Sequence, residues 1–379
     1  MNDFLNQKKQ FVQDTYYMEK TIQLAKKGKY TTAPNPNVGC IIVHKKKIVG
    51  IGWHYKSGEN HAEVNAINMA GKLSKNGTAY ISLEPCNHFG KTPPCCNLII
   101  KSGIKRVVIA MLDPDPKMSG KSVKYLKKHG IQVTVGILLK KSQNINLGYL
   151  KRINHGIPWI QLKMAISLDG KIAMKNGESQ WITSKDARQD THRLRALSSA
   201  ILSTSSTILN DNPKLTVRCN MNKKCQKKYI QPKRIIIDSQ NRVQPNHQII
   251  QEKISEIWLI RLYHDKKIWP THVKQIILPK YKKYINLKKL FQFLGKEKIN
   301  TVWVECGTNL FSNMIKLHLI DELILYVAPK MLGHLAKPLF FNTQELDLNT
   351  INTFSFTSIK SIGSDIRIKL KPQCKNLIY

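Results

Sequence analysis

Apolar runs of strand length alternate with helical patterns along residues 38–138. Two β-rich runs around a lysine turn at 38–54 predict a hairpin. Apolar side chains at helical spacing predict a helix over 61–73. The alternation continues with strands predicted over 78–85, 105–114 and 131–138 and helices predicted over 95–103 and 121–130. Such alternation predicts an α/β sandwich, in which helices pack on a sheet.

The pattern restarts after KRINHGIP at 151–158. A strand and a loop are predicted over 159–173, and a helix that runs into a strand over 187–204. The remaining predicted elements are short strands at 234–239, 256–261 and 301–307, a helix at 309–320 and a long strand at 321–329. We therefore predict two α/β domains, 1–152 and 153–379.

The chain has 379 residues, of which 42% are hydrophobic and 22% charged. This composition suffices for the cores of two domains. We find neither the apolar segment of a secretory signal nor an apolar run long enough to span a bilayer. The 8 cysteines form no dense disulfide pattern, so clustered cysteines are interpreted as metal ligands. We expect a cytoplasmic protein with no membrane partner.

The formal net charge of +37, from 61 Lys and Arg against 24 Asp and Glu, is high enough to suggest nucleic-acid binding. Lysines greatly outnumber arginines, however, and they are spread over both halves of the chain. We interpret the charge as a compositional bias and expect small-molecule substrates rather than a nucleic acid. An anionic substrate would be attracted by such a field. The oligomeric state is left open, a homo-oligomer included.

Three candidate metal ligands lie in two segments, HAE at 61–63 and LEPCNHFGKTPPCC at 83–96. His61, Cys86 and Cys95 predict a zinc site with three protein ligands and one position for water. A closed structural site would need a fourth ligand, for which the nearby donors are Cys96 and His88.

An acidic residue, Glu63, lies two positions after His61, where it could carry protons for a water activated by zinc. His-x-Glu followed by Pro-Cys and a second Cys is typical of zinc deaminases. Eight residues separate Cys86 from Cys95, whereas nucleobase deaminases have two residues there. The spacing therefore argues against a plain cytidine or RNA-adenosine deaminase.

Two alternatives compete with a small-molecule deaminase. A deaminase of RNA bases accounts for the charge and for His-x-Glu, but it predicts the shorter cysteine spacing and gives residues 160–379 no role. A zinc-stapled nucleic-acid-binding protein predicts four zinc ligands and an aromatic or Arg-rich surface. Its affinity for RNA would fall steeply with salt concentration.

Motifs along nearly the whole chain resemble the bifunctional riboflavin-biosynthesis deaminase/reductase family. They are NPNVG (35–39), GWHYKSGENHAEV (52–64), LEPCNHFGKTPPCC (83–96), AMLDPDP (110–116), LKMAISLDGKIA (162–173), GESQWITS (177–184), STILNDNPKLTVR (206–218), IIIDS (235–239), VECGTNL (304–310) and YVAPKMLG (326–333). The resemblance implies a cytidine-deaminase-like three-layer α/β/α domain followed by a dihydrofolate-reductase-like α/β domain. It also explains why no G-x-G-x-x-G fingerprint is found.

The resemblance implies two consecutive reactions with Zn²⁺ and NADPH as cofactors. The first is hydrolytic deamination of 2,5-diamino-6-(5-phosphoribosylamino)pyrimidin-4(3H)-one to 5-amino-6-(5-phosphoribosylamino)uracil. In the second, NADPH reduces the ribosyl chain to give 5-amino-6-(5-phosphoribitylamino)uracil.

The resemblance also implies roles for individual residues. The implied catalytic residues are Glu63, Lys163 and Glu305. The implied substrate-binding residues are Asn35, His54, Lys91, Asp113, Ser179, Arg195, Leu215, Arg218 and Glu305. The implied NADPH-binding residues are Ala165, Trp181, Thr207, Asp211, Ser239, Gly307, Thr308, Asn309, Leu310, Phe311, Ser312 and Asn313.

The chain departs from the family where small residues are usual. Cys306 stands in a motif that commonly reads Val-Glu-Gly-Gly, and serines stand at 203, 205 and 206, where glycines are frequent. Because glycine lets a backbone approach a phosphate closely, we expect these substitutions to narrow the cofactor approach and lower reductase efficiency.

Overall fold

The computed structural model describes residues 2–88, 93–116, 118–218, 229–341 and 351–373. The chain forms two compact units, Met1–Asn154 and His155–Tyr379. Each unit has its own large sheet, and the units are described separately below.

The first unit is a five-stranded sheet with helices on both faces. Its elements are α1 (Asn2–Ala25), β1 (Gly39–His44), β2 (Lys47–Trp53), α2 (Ala62–Ala70), β3 (Thr78–Ile81), α3 (Cys95–Lys101), β4 (Arg106–Ile109), α4 (Lys121–Lys128), β5 (Gln132–Val135), α5 (Leu139–Asn144) and α6 (Leu147–His155). The strand order is β2-β1-β3-β4-β5. Strand β1 is antiparallel to β2 and β3, whereas β3, β4 and β5 are parallel.

Alternate residues of these strands enter two separate cores, as the two-residue period of a strand requires. On β1, Ile41 packs with α1, whereas Ile42 packs with α2 and α3 on the opposite face. The sheet is therefore buried on both sides, which produces the three-layer α/β/α arrangement.

Helix α2 lies unusually close to the sheet because β2 carries glycines where the helix crosses it. A Cβ atom on Gly50 would lie 2.1 Å from the Ala66 carbonyl oxygen, and one on Gly52 would lie 2.2 Å from that of Ala62. Larger residues would push the helix away. The two glycines thus set the position of the helix that begins immediately after His61.

The second unit is built on a nine-stranded mixed sheet. Its elements are β6 (Trp159–Ser167), β7 (Lys171–Ala173), α7 (Lys185–Arg195), β8 (Ala200–Thr204), α8 (Ser205–Asp211), β9 (Lys233–Ile237), α9 (Gln248–Gln251), β10 (Ile257–Arg261), β11 (Val273–Ile277), β12 (Lys280–Tyr281), β13 (Tyr284–Ile285), α10 (Leu287–Lys296), β14 (Thr301–Glu305), α11 (Thr308–Lys316), β15 (Glu322–Ala328), β16 (Lys337–Pro338), β17 (Phe354–Ile362) and β18 (Asp365–Pro372). The large sheet has the order β11-β10-β9-β8-β14-β6-β15-β18-β17. The first seven strands of this order, up to and including β15, are parallel to one another. Strand β18 is antiparallel to both of its neighbours, β15 and β17.

Helices cover both faces of this sheet as well. Helices α10 and α11 contribute to one core, which includes Leu162 of β6. Helices α7, α8 and α9 contribute to the other, which includes Trp303 of β14. Because the central strands are parallel, their carboxyl ends share one edge, and loops at that edge carry polar side chains into a common cleft.

The predicted α/β class is confirmed for both units, and the hairpin predicted over 38–54 forms as β1 and β2. The patterns did not predict α1 or the antiparallel pair β17–β18. The amino-terminal half of α1 is exposed although it carries Phe4, Leu5, Phe11 and Val12, so its apolar pattern does not match its burial. Strand β18 does alternate, with Ile366, Ile368 and Leu370 between charged residues, and this signal could have identified it.

Candidate active sites

Three metal-binding side chains meet in the first unit at the amino ends of two helices. His61 is the residue before α2, Cys95 is the first residue of α3, and Cys86 follows β3 in a loop. His61 Nδ1 lies 3.3 Å from Cys95 Sγ and 3.6 Å from Cys86 Sγ. Their ligand atoms all lie within 4.8 Å of one another. Tetrahedral zinc with bonds of about 2.0–2.3 Å separates its ligand atoms by about 3.5 Å, so the three fit a zinc ion.

The other two candidate ligands lie elsewhere. Cys96 Sγ is buried and lies 3.8 Å from the Pro85 carbonyl oxygen. His88 Nδ1 lies 3.1 Å from Met118 Sδ. Within the described ranges, His61, Cys86 and Cys95 form the one group of three or more such residues that could hold a metal. Three protein ligands leave one tetrahedral position for water.

The pKa values of the two ligand thiols shift in opposite directions. Hydrogen bonds from Cys95 and His61 lower the pKa of Cys86 to about 4, although burial opposes this shift. The hydrogen bond to Cys86 and burial raise the pKa of Cys95 well above its usual range. A divalent cation bound here would displace the thiol protons and stabilise both thiolates, which is how zinc binding couples to deprotonation.

Glu63 lies in the first turn of α2 and is only 3% exposed. Burial, and secondarily the charge of Cys86, raises the pKa of Glu63 to about 7. A carboxyl group with a pKa near neutral exchanges protons in both directions at physiological pH. The residue identified from sequence as a proton carrier therefore has suitable acidity and lies beside the three ligands.

Asn35 and His54 lie next to the ligands. Asn35 Nδ2 is 3.1 Å from His54 Nε2, and the His54 ring lies 5.5 Å from the ring of His61, edge to face. Burial lowers the pKa of His54, which favours the neutral ring. The pair presents hydrogen-bonding groups rather than charge on this side of the site. Lys91, the other residue assigned to substrate here, lies outside the described residues.

Asp113 lies on the loop that follows β4. Its carboxylate accepts a hydrogen bond from the Asp115 N–H at 2.9 Å and lies 3.3 Å from the Tyr149 hydroxyl. Burial raises the pKa of Asp113.

Sequence reasoning missed Glu84, which organises the loops around this site. Its carboxylate accepts backbone N–H groups from Asp113 at 3.1 Å, Gly120 at 2.9 Å and Ser122 at 3.0 Å. The side chain is 4% exposed. The sequence signal is only that an acidic residue ends the apolar run 78–83, two positions before Cys86, and this signal does not identify the partners of Glu84.

The second unit contains a large cleft of about 1710 Å³. Thr204 at the end of β8, Ser239 after β9 and Glu305 at the end of β14 all line it, so the cleft follows the carboxyl edge of the parallel strands. A cleft of this size can accept a dinucleotide and a second ligand.

Glu305 is held in a network of donors. Arg195 binds it through both nitrogens of its fork, Nε to Oε1 at 2.5 Å and Nη2 to Oε2 at 2.8 Å. The Trp303 indole N–H donates to Oε1 at 2.7 Å. Burial alone would raise the pKa of Glu305, but the charge and hydrogen bonds of Arg195, the charge of Lys163 and the hydrogen bond of Trp303 lower it to about 2.

Lys163 is the direct neighbour of Glu305 in the sheet, since β6 and β14 are parallel and pair these two residues. Its ammonium lies 5.8 Å from the centre of the Tyr326 ring. Burial lowers the pKa of Lys163, while Glu305 raises it. The cleft thus contains a cation and an anion from adjacent strands.

The remaining residues assigned to the second unit are nearly all brought together in this cleft. Those lining it are Ala165, Ser179, Trp181, Arg195, Thr207, Asp211, Leu215, Arg218, Ser239, Gly307, Thr308, Asn309, Leu310, Ser312 and Asn313. The exception is Phe311, whose side chain is 3% exposed and packs in the core beside Phe340. Only its backbone can reach a ligand.

The two arginines assigned to the substrate, Arg195 and Arg218, differ in how much of the guanidinium group is free to bind a ligand. Because the fork of Arg195 faces Glu305 and its Nη1 donates to the Thr216 carbonyl at 3.0 Å, three of its donors are already used. Arg218 is exposed, and its backbone N–H donates to His192 Nδ1 at 3.3 Å. His192 also lines the cleft, and the sequence patterns did not identify it. Burial and the charges of Arg195 and Arg218 lower the pKa of His192 to about 4.

The serines at 203, 205 and 206 have partners. Ser203 is buried, and its hydroxyl donates to the Glu305 carbonyl at 2.8 Å. Ser205 and Ser206 accept hydrogen bonds from Arg242. Cys306 lines the cleft.

Among the helices described, none is both long and apolar enough to cross a membrane.

Comparison with known proteins covers both units. Residues 158–368 match the family described as RibD C-terminal domain, and residues 12–111 match the cytidine and deoxycytidylate deaminase zinc-binding region.

Relatives with similar sequence and structure span nearly the whole chain. Riboflavin biosynthesis protein RibD of Buchnera aphidicola subsp. Baizongia pistaciae is 52% identical over 95% of this chain and 98% of its own. The solved structure of Acinetobacter baumannii RibD has a TM-score of 0.89 at 38% identity and covers 96% of this chain and 100% of its own. A structure from Thermotoga maritima, described as a diaminohydroxyphosphoribosylaminopyrimidine deaminase/5-amino-6-(5-phosphoribosylamino)uracil reductase, has a TM-score of 0.85 at 30% identity, with coverage of 96% and 100%.

Proposed function

This chain belongs to the RibD family of riboflavin-biosynthesis proteins, and we propose which of its residues carry out each of the two activities of that family. The chain is a bifunctional enzyme, a deaminase with zinc as cofactor and a reductase with NADPH as cofactor. Family matches to both halves disfavour an RNA-base deaminase and a zinc-stapled nucleic-acid-binding protein. We assign the deaminase to residues 1–152 and the reductase to residues 153–379.

The observation that carries the deaminase assignment is the position of Glu63. It is a buried carboxyl with a pKa of about 7 in the first turn of the helix that begins after His61, and Cys86, His61 and Cys95 are all close enough to shift that pKa. In our proposal Glu63 takes one proton from the attacking water and delivers it to the pyrimidine ring nitrogen. It then takes the second proton from the hydroxyl group added to the ring carbon and gives it to the departing amine, which leaves as ammonia while the carbonyl group forms.

His61, Cys86 and Cys95 would hold the zinc ion. When bound, zinc acts as a Lewis acid that increases the acidity of water at the open position. Asn35 and His54 would orient the pyrimidine through neutral hydrogen bonds. They contact each other at 3.1 Å, and the His54 ring lies 5.5 Å from the ring of the zinc ligand His61. Asp113 and Lys91 complete the proposed substrate contacts.

The reductase assignment relies on the neighbouring charges of Lys163 and Glu305. NADPH supplies a hydride when it is bound. We propose that Lys163 donates a proton to the ribose oxygen on which negative charge develops, and that Glu305 keeps Lys163 protonated and contacts the ribose. Arg195 holds the Glu305 carboxylate in one orientation through both of its oxygens.

The remaining cleft residues divide between the two ligands. Ser179, Leu215 and Arg218 would contact the phosphoribosyl substrate, and Arg218 would reach its phosphate. The proposed NADPH residues are Ala165, Trp181, Thr207, Asp211, Ser239 and 307–313. Because Phe311 is buried, its contribution is a backbone contact.

Two single-site variants test the division. Glu63→Gln should abolish ammonia release from the diaminopyrimidine ribotide but should still oxidise NADPH when supplied with the deaminated intermediate. Glu305→Gln should release ammonia at the wild-type rate and oxidise little NADPH. Removal of zinc by a chelator should reproduce the first variant, and its restoration should reverse the loss. Ammonia release by Glu63→Gln at the wild-type rate would contradict the proposed role of this residue.

We further propose a cytoplasmic location, since a reducing compartment keeps the two ligand thiols reduced. Small-molecule pyrimidine ribotides are the proposed substrates, and the positive charge is proposed to have no nucleic-acid partner. Binding of random RNA at two salt concentrations tests that point, because specific phosphate contacts would produce a steep salt dependence.

A further inference from the structure

Helix α6 (Leu147–His155) is the last helix of the first unit, and it contacts two loops that carry proposed substrate residues. One loop, residues 34–37, contains Asn35, and the other begins at Asp113 after β4. Both loops are distant from the helix in sequence. The contacts therefore arise from folding, and they place α6 beside the proposed deaminase substrate.

Hydrogen bonds of two asparagines fix the start of this helix to the first loop. Asn146, which is 3% exposed, accepts the Asn37 backbone N–H at 2.7 Å and donates from Nδ2 to the Asn37 carbonyl at 3.0 Å. Further along the helix, Arg152 Nη2 donates to the Pro34 carbonyl at 3.3 Å. Because the same two segments are joined at both ends of this contact, the helix has little freedom to move relative to the loop.

Tyr149 lies on α6 between these anchors, and its hydroxyl faces the carboxylate of Asp113. It lies 3.3 Å from Oδ1 and 3.4 Å from Oδ2. The nearly equal distances indicate that one hydroxyl hydrogen is shared between the two oxygens. The guanidinium of Arg152, three residues further along the same face of the helix, lies 5.6 Å from the centre of the Tyr149 ring. A neighbour on the same helix therefore supports the ring.

Asp113 is restricted by two further contacts. Its backbone N–H donates to Glu84 Oε2 at 3.1 Å, and its Oδ1 accepts the Asp115 N–H at 2.9 Å. Burial raises the pKa of Asp113, and the hydrogen bonds from Asp115 and Tyr149 oppose this shift. A carboxylate has about four acceptor positions. The contacts with Asp115 and Tyr149 use part of them, so others can accept hydrogen bonds from a ligand.

A carboxylate on a loop binds a ligand more tightly when a rigid element fixes its plane, because less side-chain entropy is then lost on binding. We propose that Tyr149 is a positioning residue of the deaminase. Its hydroxyl fixes the orientation of the Asp113 carboxylate, which then accepts hydrogen bonds from the pyrimidine ribotide. Helix α6 is thereby part of the deaminase site. This inference rests on the proposed role of Asp113 in substrate binding.

A double-mutant cycle on ammonia release tests the inference with the full-length, zinc-loaded protein. Tyr149→Phe removes the hydroxyl and keeps the ring. It should raise the KM for the diaminopyrimidine ribotide by about tenfold, as expected for loss of a hydrogen bond to a charged group. The kcat should change little, because neither Tyr149 nor Asp113 is proposed to transfer protons. In the Asp113→Ala background, Tyr149→Phe should have no further effect, because the group that the hydroxyl orients is then absent.

Tyr125→Phe is the matched control. The Tyr125 hydroxyl also donates to a side-chain oxygen of the first unit, Asn97 Oδ1, at 3.0 Å. This variant should have the wild-type KM. Zinc content, measured by metal analysis, and NADPH oxidation with the deaminated intermediate should be unchanged in both tyrosine variants. These two measurements show that the variant chains are folded.

Each other outcome has a separate meaning. A wild-type KM in Tyr149→Phe would overturn the inference. An equal rise in KM with and without the Asp113 carboxylate would overturn it as well, because the hydroxyl would then act on another group. Loss of zinc together with ammonia release would assign Tyr149 to the stability of the first unit alone. If zinc-loaded wild-type protein released no ammonia, the proposed deaminase function would fail instead.

Discussion

Glu63 in the first unit and Glu305 in the second are two largely buried glutamates that differ in their partners. Within the described residues no Lys or Arg forms an ion pair with Glu63, and burial raises its pKa to about 7, although the charge of His61 opposes this shift. Glu305 contacts the fork of Arg195 and pairs with Lys163 across the sheet, and its pKa falls to about 2. The charged neighbours of a buried carboxyl group, rather than the depth of its burial, therefore decide whether it carries protons or remains a fixed anion.

The largest loss of stability and activity is expected when Glu305, like Glu63, has no arginine partner. Arg195→Met removes the fork but keeps much of the side-chain volume, and it leaves Glu305 without its main partner. Loss of one member of a buried ion pair costs about 3–5 kcal/mol. We expect the free energy of unfolding to fall by that order and NADPH oxidation to be nearly lost. Denaturant unfolding checks this, with Arg193→Met on the exposed face of the same helix as control.

The pH dependence of stability should report the same pair. The folded-state pKa of Glu305 lies below its ordinary value of 4.5, at about 2. The stabilisation is therefore fully present above the unfolded-state pKa and is lost as pH falls from about 4.5 towards 2. A shift of this size corresponds to about 3 kcal/mol. Unfolding curves of wild type and Glu305→Gln, measured across this range, should converge at low pH; parallel curves would contradict the prediction.

Shortening the first glutamate tests whether position matters as much as acidity. Glu63→Asp keeps a carboxyl but moves it back by one methylene, away from the substrate side of the ligands. A displacement of about 1 Å lowers a rate by roughly a hundredfold. We expect ammonia release to fall by that factor while zinc content, measured by metal analysis, stays at the wild-type level. A rate equal to that of wild type would show that the carboxyl acts through water rather than directly.

The smallest effect is expected at Ser203, which supports Glu305 through the backbone. Its buried hydroxyl donates to the Glu305 carbonyl at 2.8 Å. Ser203→Ala leaves that carbonyl without this donor, which costs about 1 kcal/mol. Thermal unfolding should show a small decrease that the exposed control Ser361→Ala does not. An increase in reductase rate without loss of stability would instead support the view that this serine narrows the site.

Much of the first site was predictable because its chemistry is local. His61 and Glu63 are two residues apart on the start of one helix, and Cys86 and Cys95 flank one short loop. Only a few donor types bind zinc, so type and spacing together restrict the choice. Glu84 was missed because its partners are backbone N–H groups of residues 113, 120 and 122, which spacing does not reveal.

The second site was less predictable because its residues come from strands far apart in the chain. Lys163 and Glu305 are neighbours only because β6 and β14 pair in parallel register. Packing also decides three further features of this site. The fork of Arg195 binds Glu305, Phe311 is buried, and Ser205 and Ser206 accept hydrogen bonds from Arg242. No local pattern encodes them.

From the chain alone we could infer the alternation of strands and helices, a predicted division into two domains, and the residue types that can bind zinc and transfer protons. These follow from periodicity and from side-chain chemistry, which act over a few residues. Folding sets which charges meet: it buries Glu63 beside the three metal ligands and places Glu305 against Arg195 and Lys163. The physical reason is that pKa values and charge pairing depend on distance and burial, which exist only once the chain has folded.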